Sequence, residues 1–263
     1  MARILAWIAW GLILVACSPG PAPAQIHWIG RFEAVTGALS FTVSDPSAPD
    51  DSPLEIRLAE LDTPVPDQTR AVLGDRLSGH RVGVAQGEGS ADRYGRRLAH
   101  VYLLPDDAPS EVEPVWLQAW LVEAGAARVL SHADNRIETP RLLALEADAR
   151  SQGRGFWADP ALSVRDTHPD GLAQHVGSVQ LVEGRVLEAT RLRSGRVYLN
   201  FGADYRTDFT VMIEAADEPA FQAAGLDPVA LETRRIRVRG WLEDQNGPMI
   251  RIDHPERIEI LAD

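Results

Sequence analysis

The sequence predicts a mixed α+β chain, mainly β, organised in two parts. Three observations carry this reading. The stretches Glu55–Pro64 and Asp92–Tyr102 each join strand-like residues to a polar turn. Two apolar helical stripes lie between residues 113 and 153. After residue 175 the pattern changes to a succession of strands. A length of 263 residues has room for about two domains.

Composition is that of a globular protein, with 45% apolar and 24% charged residues. The formal net charge is -12, and every basic side chain is Arg because the chain has no Lys. Proteins that grip nucleic acid through counterion release are usually basic. Any nucleic-acid contact here is therefore expected to be local or metal-assisted.

Residues 1–24 read as a targeting segment. Arg3 supplies a positive start, and Ile4 to Ala16 form an apolar run too short for a comfortable bilayer span. The run ends in Leu14-Val-Ala-Cys17, which resembles a bacterial lipobox and implies that Cys17 is lipidated and becomes the mature N-terminus. Cys17 is the single cysteine, so an intramolecular disulfide is excluded. Ser18 in place of an acidic residue resembles outer-membrane lipoproteins. The alternative is cleavage after Ala24, which gives a soluble periplasmic protein. Both readings export the chain.

From Ile26 to Val43 the alternation predicts a hairpin with Thr36-Gly37 at its turn. The acids of Asp45–Pro53 read as solvated loop. Glu55–Pro64 reads as a strand carrying Arg57 and ending in Asp62-Thr63-Pro64. In Asp92-Arg-Tyr-Gly-Arg-Arg-Leu-Ala-His-Val-Tyr102 a turn delivers Arg96 to the mouth of a strand. A guanidinium held there suits bidentate contact with phosphate or carboxylate, and a hairpin turn with solvated arginines is the alternative.

Glu113-Pro114 is a helix-start signal, followed by Trp116, Leu117, Trp120, Leu121 and Ala124 and ended by Gly125. A further helix has Thr139 as its N-cap, Pro140 behind it, and Leu142, Leu145 and Ala149 on one face, with Gly153 or Gly155 as its stop. Residues 159–175 read as a linker. Strand runs then follow at Val179–Thr190, Arg196–Phe201, Phe209–Ala215, Arg235–Glu243 and Met249–Ile252. A short helix is expected over Pro219–Gly225, and Asn246-Gly247 is a hairpin turn. Five strands with a helix between the third and fourth is the order of an OB-fold. Tyr198, Phe201, Tyr205, Phe209 and Trp241, with Arg234, Arg235, Arg237 and Arg239, offer aromatics and a narrow basic stripe of the sort that binds single strands. Residues 176–263 nevertheless carry 15 acids against 11 arginines, a net of -4, so a packing or protein-docking module is the alternative. The 7 histidines show no metal-ligand spacing, and no Ser/His/Asp or Cys/His constellation is present.

The Arg-bearing strand ending in Asp-Thr-Pro, the Asp-Arg-Tyr-Gly-Arg loop, and the helices around Leu121–Val129 and Glu146–Trp157 together resemble the staphylococcal nuclease (thermonuclease) family. The resemblance implies an OB-fold barrel with packed helices over residues 26–158, followed by a second OB-like barrel over 176–263. Gly184-Arg-Val, Val197–Gly202 and Arg237–Trp241 resemble OB-type domains appended to such proteins.

The resemblance also implies a phosphodiester hydrolase in which Arg57 and Arg96 clamp the scissile phosphate. Asp62 and the Thr63 carbonyl would hold calcium, and Arg93 and Tyr94 would contact a nucleotide phosphate. Two departures stand out. The calcium-binding aspartate of the family falls at Ala38, whose methyl offers no hard oxygen, and the glutamate general base falls at Val65, which accepts no proton. Glu60 and Asp67 are the substitutes at hand, and calcium is expected to be weakly held or absent. The family's tyrosine-bearing pocket segment corresponds to the neighbourhood of Arg128–Ala133, where no tyrosine remains. His132 could stack on a base there, and a loop histidine without a role is the alternative. A salt bridge between Arg57 and Asp62, pinning the strand end, is the structural alternative for that pair. Two functions follow: a nuclease acting on single-stranded DNA or RNA outside the cytoplasm, or a catalytically inactive binding or scaffold lipoprotein on the same fold. The membrane partner is reached through the N-terminal lipid, and no protein partner of the second barrel is specified.

Overall fold

A computed structural model describes residues 25–44, 52–104 and 113–262. Cys17 and the rest of the targeting segment lie outside the described residues, as do the acids at 45–51.

The first half opens with β1 (Trp28–Gly37), β2 (Ser40–Val43), β3 (Leu54–Leu58) and β4 (Leu61–Asp62). After α1 (Pro66–Leu77) come β5 (Arg81–Ala91) and β6 (Arg97–Leu104). Strand β1 pairs antiparallel with β2 and β5, β2 with β3, and β5 with β6. A parallel pairing of β3 with β6, with Arg57 opposite Leu98, closes five strands into a barrel. Closure removes the unpaired edges that an open sheet presents. Phe41, Ile56, Leu73, Leu77, Val82, Val84 and Val101 fill its interior.

The sequence reading needs four corrections in this half. The hairpin turn sits at Ala38-Leu39, with Gly37 opposite Ser40, two residues beyond the expected Thr36-Gly37. Helix α1 was not expected. It buries only Thr69, Leu73 and Leu77, a stripe too narrow to stand out as an apolar period. Glu113-Pro114 does not start a helix. It leads into β7 (Val115–Trp116), whose Trp116 pairs opposite Tyr102, and α2 (Leu117–Glu123) follows. Thr139 is the first residue of α3 (Thr139–Ser151) rather than its cap, and its hydroxyl donates instead to Glu60. Between these helices, β8 (Arg128–Val129) pairs with β4.

The stretch after α3 does not hang free. It contains two 3-10 turns and the short helix α4 (Pro169–Ala173), and Arg165 forms a parallel bridge to Val182. The second half comprises β9 (Val179–Arg185), β10 (Glu188–Arg191), β11 (Val197–Asn200) and β12 (Thr210–Ile213). Then come α5 (Glu218–Ala223), β13 (Arg235–Asp244), β14 (Pro248–Arg251) and β15 (Ile258–Ile260). Only Val186 and Leu187 separate β9 from β10, and they pair with β13 and β11 respectively, so the two act as one bent strand. The parallel pair β12–β14 repeats the β3–β6 closure of the first half. Strand β15, on the other side of β13, is an addition to the expected five. Asn246 and Gly247 both adopt left-handed backbone, with φ of 56° and 89°, as an Asn-Gly hairpin turn requires.

The expected basic and aromatic face does not assemble. Phe201 and Phe209 stack in the second core with centroids 5.0 Å apart. Arg237 and Arg239 do share a face of β13, but that face is closed off by acids: Arg237 pairs with Glu183 of β9 and Glu259 of β15, and Arg239 with Glu259 and with Glu146 of α3. Arg239, wholly buried, donates to Glu146 and to the Val129 carbonyl. Around this pair Ala149, Phe156, Trp157 and Leu181 form an apolar cluster. The two barrels are therefore packed together through a shared core.

Candidate functional site

Strand β3 ends in a tight corner at which Glu60 takes a left-handed φ of 61°. The corner turns the chain so that Arg57 lies beneath a pocket of about 520 Å³. Arg57 donates to the carbonyls of Leu58 (3.1 Å) and Leu61 (3.0 Å) and, at 3.4 Å, to that of Leu39. These bonds fix the guanidinium but leave its charge unpaired: among the described residues Arg57 has no carboxylate partner. Burial, and then the neighbouring Arg96, pull its pKa down to about 10, which leaves it a cation at neutral pH. The expected Arg57–Asp62 salt bridge does not form.

Arg96 enters the same pocket from the loop before β6. Asp92 organises that loop. One of its oxygens accepts from the backbone N–H groups of Tyr94 (2.9 Å) and Arg96 (3.0 Å), and the other accepts Arg96 Nε at 2.7 Å. Burial would raise the Asp92 pKa, but the hydrogen bonds from Arg96 and from the two N–H groups outweigh it and hold the carboxyl below its usual range. Tyr94 is 67% exposed, with Arg93 and Arg96 stacked 4.8 and 5.3 Å from its ring centre. A half-buried guanidinium, a second one held by an aspartate, and a cationic, aromatic rim make a receptor for an anionic group carrying a flat substituent.

The opposite wall is the turn His132–Asn135, closed by backbone bonds between its end residues. His132 has its pKa lowered, first by burial and then by Arg257, so it presents an uncharged ring to the pocket. Asn135 was missed by sequence reasoning. Its side-chain amide is buried without a hydrogen-bond partner and presses on β5, where Gly87 and Gly89 provide the space.

The other expected residues lie elsewhere. Asp62 and Thr63 do not line the pocket. Asp62 Oδ2 accepts from Arg128 Nε (2.9 Å) and Nη2 (2.8 Å), and Arg128 also donates to the Val179 carbonyl of the second barrel. The Thr63 hydroxyl meets Thr69 Oγ1 at 2.6 Å and donates to the Ala126 carbonyl. Glu60 lies at the pocket's edge but is anchored, since it accepts from Thr139 Oγ1 and from the Glu138 N–H and meets His100 Nε2. Asp67 is exposed in the first turn of α1, and Val65 packs on the apolar cluster between the barrels.

Calcium needs several hard oxygen ligands. Here the position of one family acid carries a methyl, Asp62 is neutralised by Arg128, and no group of three metal-ligating side chains occurs among the described residues. The donor set does not fit the ion.

Residues 55–159 match the family model described as staphylococcal nuclease homologue. Protein ParB of Escherichia coli is 32% identical over 117 residues, which cover 42% of this chain and 64% of that protein. The chain thus matches less than two thirds of the length of this relative. With the closed barrel, the helices packed on it and the two arginines in one pocket, residues 55–159 constitute a domain of the staphylococcal nuclease homologue family.

Proposed function

We propose that the first barrel binds a phosphate of a nucleic-acid strand between Arg57 and Arg96, with Tyr94 against the adjoining base, and does so without calcium. The single observation that carries this reading is Arg57, a half-buried cation with three carbonyl anchors and, among the described residues, no carboxylate partner, at the base of a pocket. A buried charge is costly unless compensated, and an incoming phosphate would supply the missing anion. Phosphodiester hydrolysis is the second reading. It is favoured by the convergence of two arginines on one pocket, which is how developing negative charge is stabilised in phosphoryl transfer. A general base and metal-activated water lack support among the residues present.

The same proposal places the chain outside the cytoplasm, held to the outer membrane by lipid on Cys17 and facing the periplasm. Metabolic labelling with palmitate tests this, with incorporation expected in the native chain and none in Cys17→Ser.

Fluorescence anisotropy with labelled single-stranded DNA and RNA tests the site. Binding is expected in chelator, with at least a tenfold loss in Arg96→Ala, since a charge-assisted contact is worth about 1.5–3 kcal/mol. Binding unaffected by that change would set the reading aside.

A further inference from the structure

The second barrel carries a separate pocket of about 530 Å³, over the open face of β10, β11, β12 and β14 and beneath the β13–β14 turn. Its apolar floor includes Met212 and Met249, and its aromatic surfaces are Tyr198 and Tyr205. Tyr205 is 56% exposed, and Arg206 stacks over its ring at 5.2 Å. Between these surfaces stand uncharged hydrogen-bonding groups: the amides of Asn200, Gln245 and Asn246 and the hydroxyls of Thr190 and Thr210.

The charges around this pocket decide between occupants. Its two lining arginines are already compensated. Arg196 donates to Glu214 at 2.9 Å and to the Tyr198 hydroxyl at 3.3 Å. Arg251 donates to Gln245 at 2.6 Å and pairs with Glu243 at 3.2 Å. Glu188, at the rim, has among the described residues only the Thr190 hydroxyl as its hydrogen-bond donor, at 2.9 Å. Glu214 and Glu243 thus occupy the two lining arginines from outside the pocket, and Glu188 is the carboxylate in the lining itself. A phosphate backbone would meet the Glu188 carboxylate and two arginines already engaged by acids, which weakens the term that dominates nucleic-acid affinity.

We propose that this pocket binds an uncharged sugar ring of a glycan chain. A pyranose has an apolar C–H face, which suits a tyrosine ring, and a hydroxyl edge, which suits amides and a carboxylate acceptor. Mixed apolar and convergent neutral polar lining is what orients such a ligand. The proposal is independent of the Arg57–Arg96 site.

The test is calorimetric titration of the full chain with neutral tetrasaccharides of β-1,4-linked glucose, β-1,4-linked N-acetylglucosamine and α-1,4-linked glucose. An eight-residue oligothymidylate is titrated in parallel. Binding of at least one sugar is expected, weakened roughly fivefold or more in Tyr205→Ala, restored in Tyr205→Trp, and unchanged in Arg96→Ala. Because Tyr205 is exposed, these variants are expected to melt like the parent. Absence of binding by every sugar, or sugar binding indifferent to Tyr205→Ala, overturns the proposal. Oligothymidylate binding that Tyr205→Ala weakens overturns it in favour of nucleic acid at this face.

Discussion

Arg239 of the second barrel and Glu146 of the first are both without solvent exposure and lie 3.0 Å apart. Each is further satisfied. Arg239 also donates to the Val129 carbonyl at 2.8 Å and pairs with Glu259, while Glu146 accepts the Val129 N–H at 2.6 Å and a bond from Arg150. Strand β8 is thereby held by this pair through both the N–H and the C=O of Val129. Its neighbour Arg128 reaches back to Asp62. The second barrel thus fixes the strand whose Arg128 neutralises Asp62.

Breaking this pair from one side is expected to be severe. Arg239→Ala leaves the buried Glu146 with Arg150 as its remaining cationic partner and strips Glu259 of one of its arginines, which should cost about 3 kcal/mol in denaturant unfolding. The double change Arg239→Met with Glu146→Leu removes both charges and should cost less than the sum of the single changes. Additive losses would show that the two groups do not interact.

Val65 occupies the place of the family's base, and restoring the glutamate is the obvious attempt to revive hydrolysis. Val65, however, is partly buried and packs against the apolar cluster that contains Phe156, Trp157 and Leu181. Val65→Glu should therefore lower stability by about 1–3 kcal/mol through burial of a polar group and should give no cleavage, even together with Ala38→Asp. Thermal melting and a gel-based nuclease assay read both outcomes. Calcium-dependent cleavage in the double variant would contradict the account.

Acid should loosen the junction of the barrels near His254. That ring meets Asp253 Oδ1 through Nδ1 at 2.5 Å and Ser131 Oγ through Nε2 at 2.7 Å. The hydrogen bond from His254 brings the Asp253 pKa down to about 2 against burial, with Arg257 assisting. A depressed carboxyl pKa favours the folded state above its unfolded value. The contribution is therefore full above about pH 4 and is lost as pH falls through about 2. Because the Asp253 side chain is 45% exposed, the effect is modest. Melting temperature against pH should be flatter at the acid end in Asp253→Asn than in the native chain, and identical profiles would count against the link.

Gly87 is the support of the pocket's far wall. A Cβ there would stand 2.1 Å from Asn135 Oδ1. Gly87→Ala should displace the turn His132–Asn135, cost about 1–3 kcal/mol and weaken oligonucleotide binding. Gly171→Ala, with nothing within 4 Å of the new methyl and ordinary helical backbone, should be neutral or slightly stabilising. Equal melting temperatures for the two variants would show that the wall tolerates the methyl.

What was legible in the sequence was local. Arg57, Arg93, Tyr94 and Arg96 sit in two short motifs whose strand-and-turn chemistry is written in adjacent residues, and the structure brings all four to one pocket. The OB order of the second half was equally local, set by strand runs and the Asn246-Gly247 turn. What escaped depends on distant partners. Asp62 looks like a metal ligand until Arg128, 66 residues away, is seen to hold it. Val65 looks like a lost base until Leu181 is packed in the same cluster. Glu60 reads as a strand residue because nothing around it signals a left-handed backbone in a non-glycine. Arg237 and Arg239 alternate onto one face as the sequence implies, but the distant partners Glu146, Glu183 and Glu259 show that the face is inside.

The central claim is that the Arg57–Arg96 pocket takes a phosphate without calcium. Oligonucleotide affinity measured side by side in calcium and in chelator, for the native chain and for Arg96→Ala, tests it most directly. The account predicts equal affinity in the two conditions and at least a tenfold loss in the variant. Affinity or cleavage that appears only with calcium would contradict it.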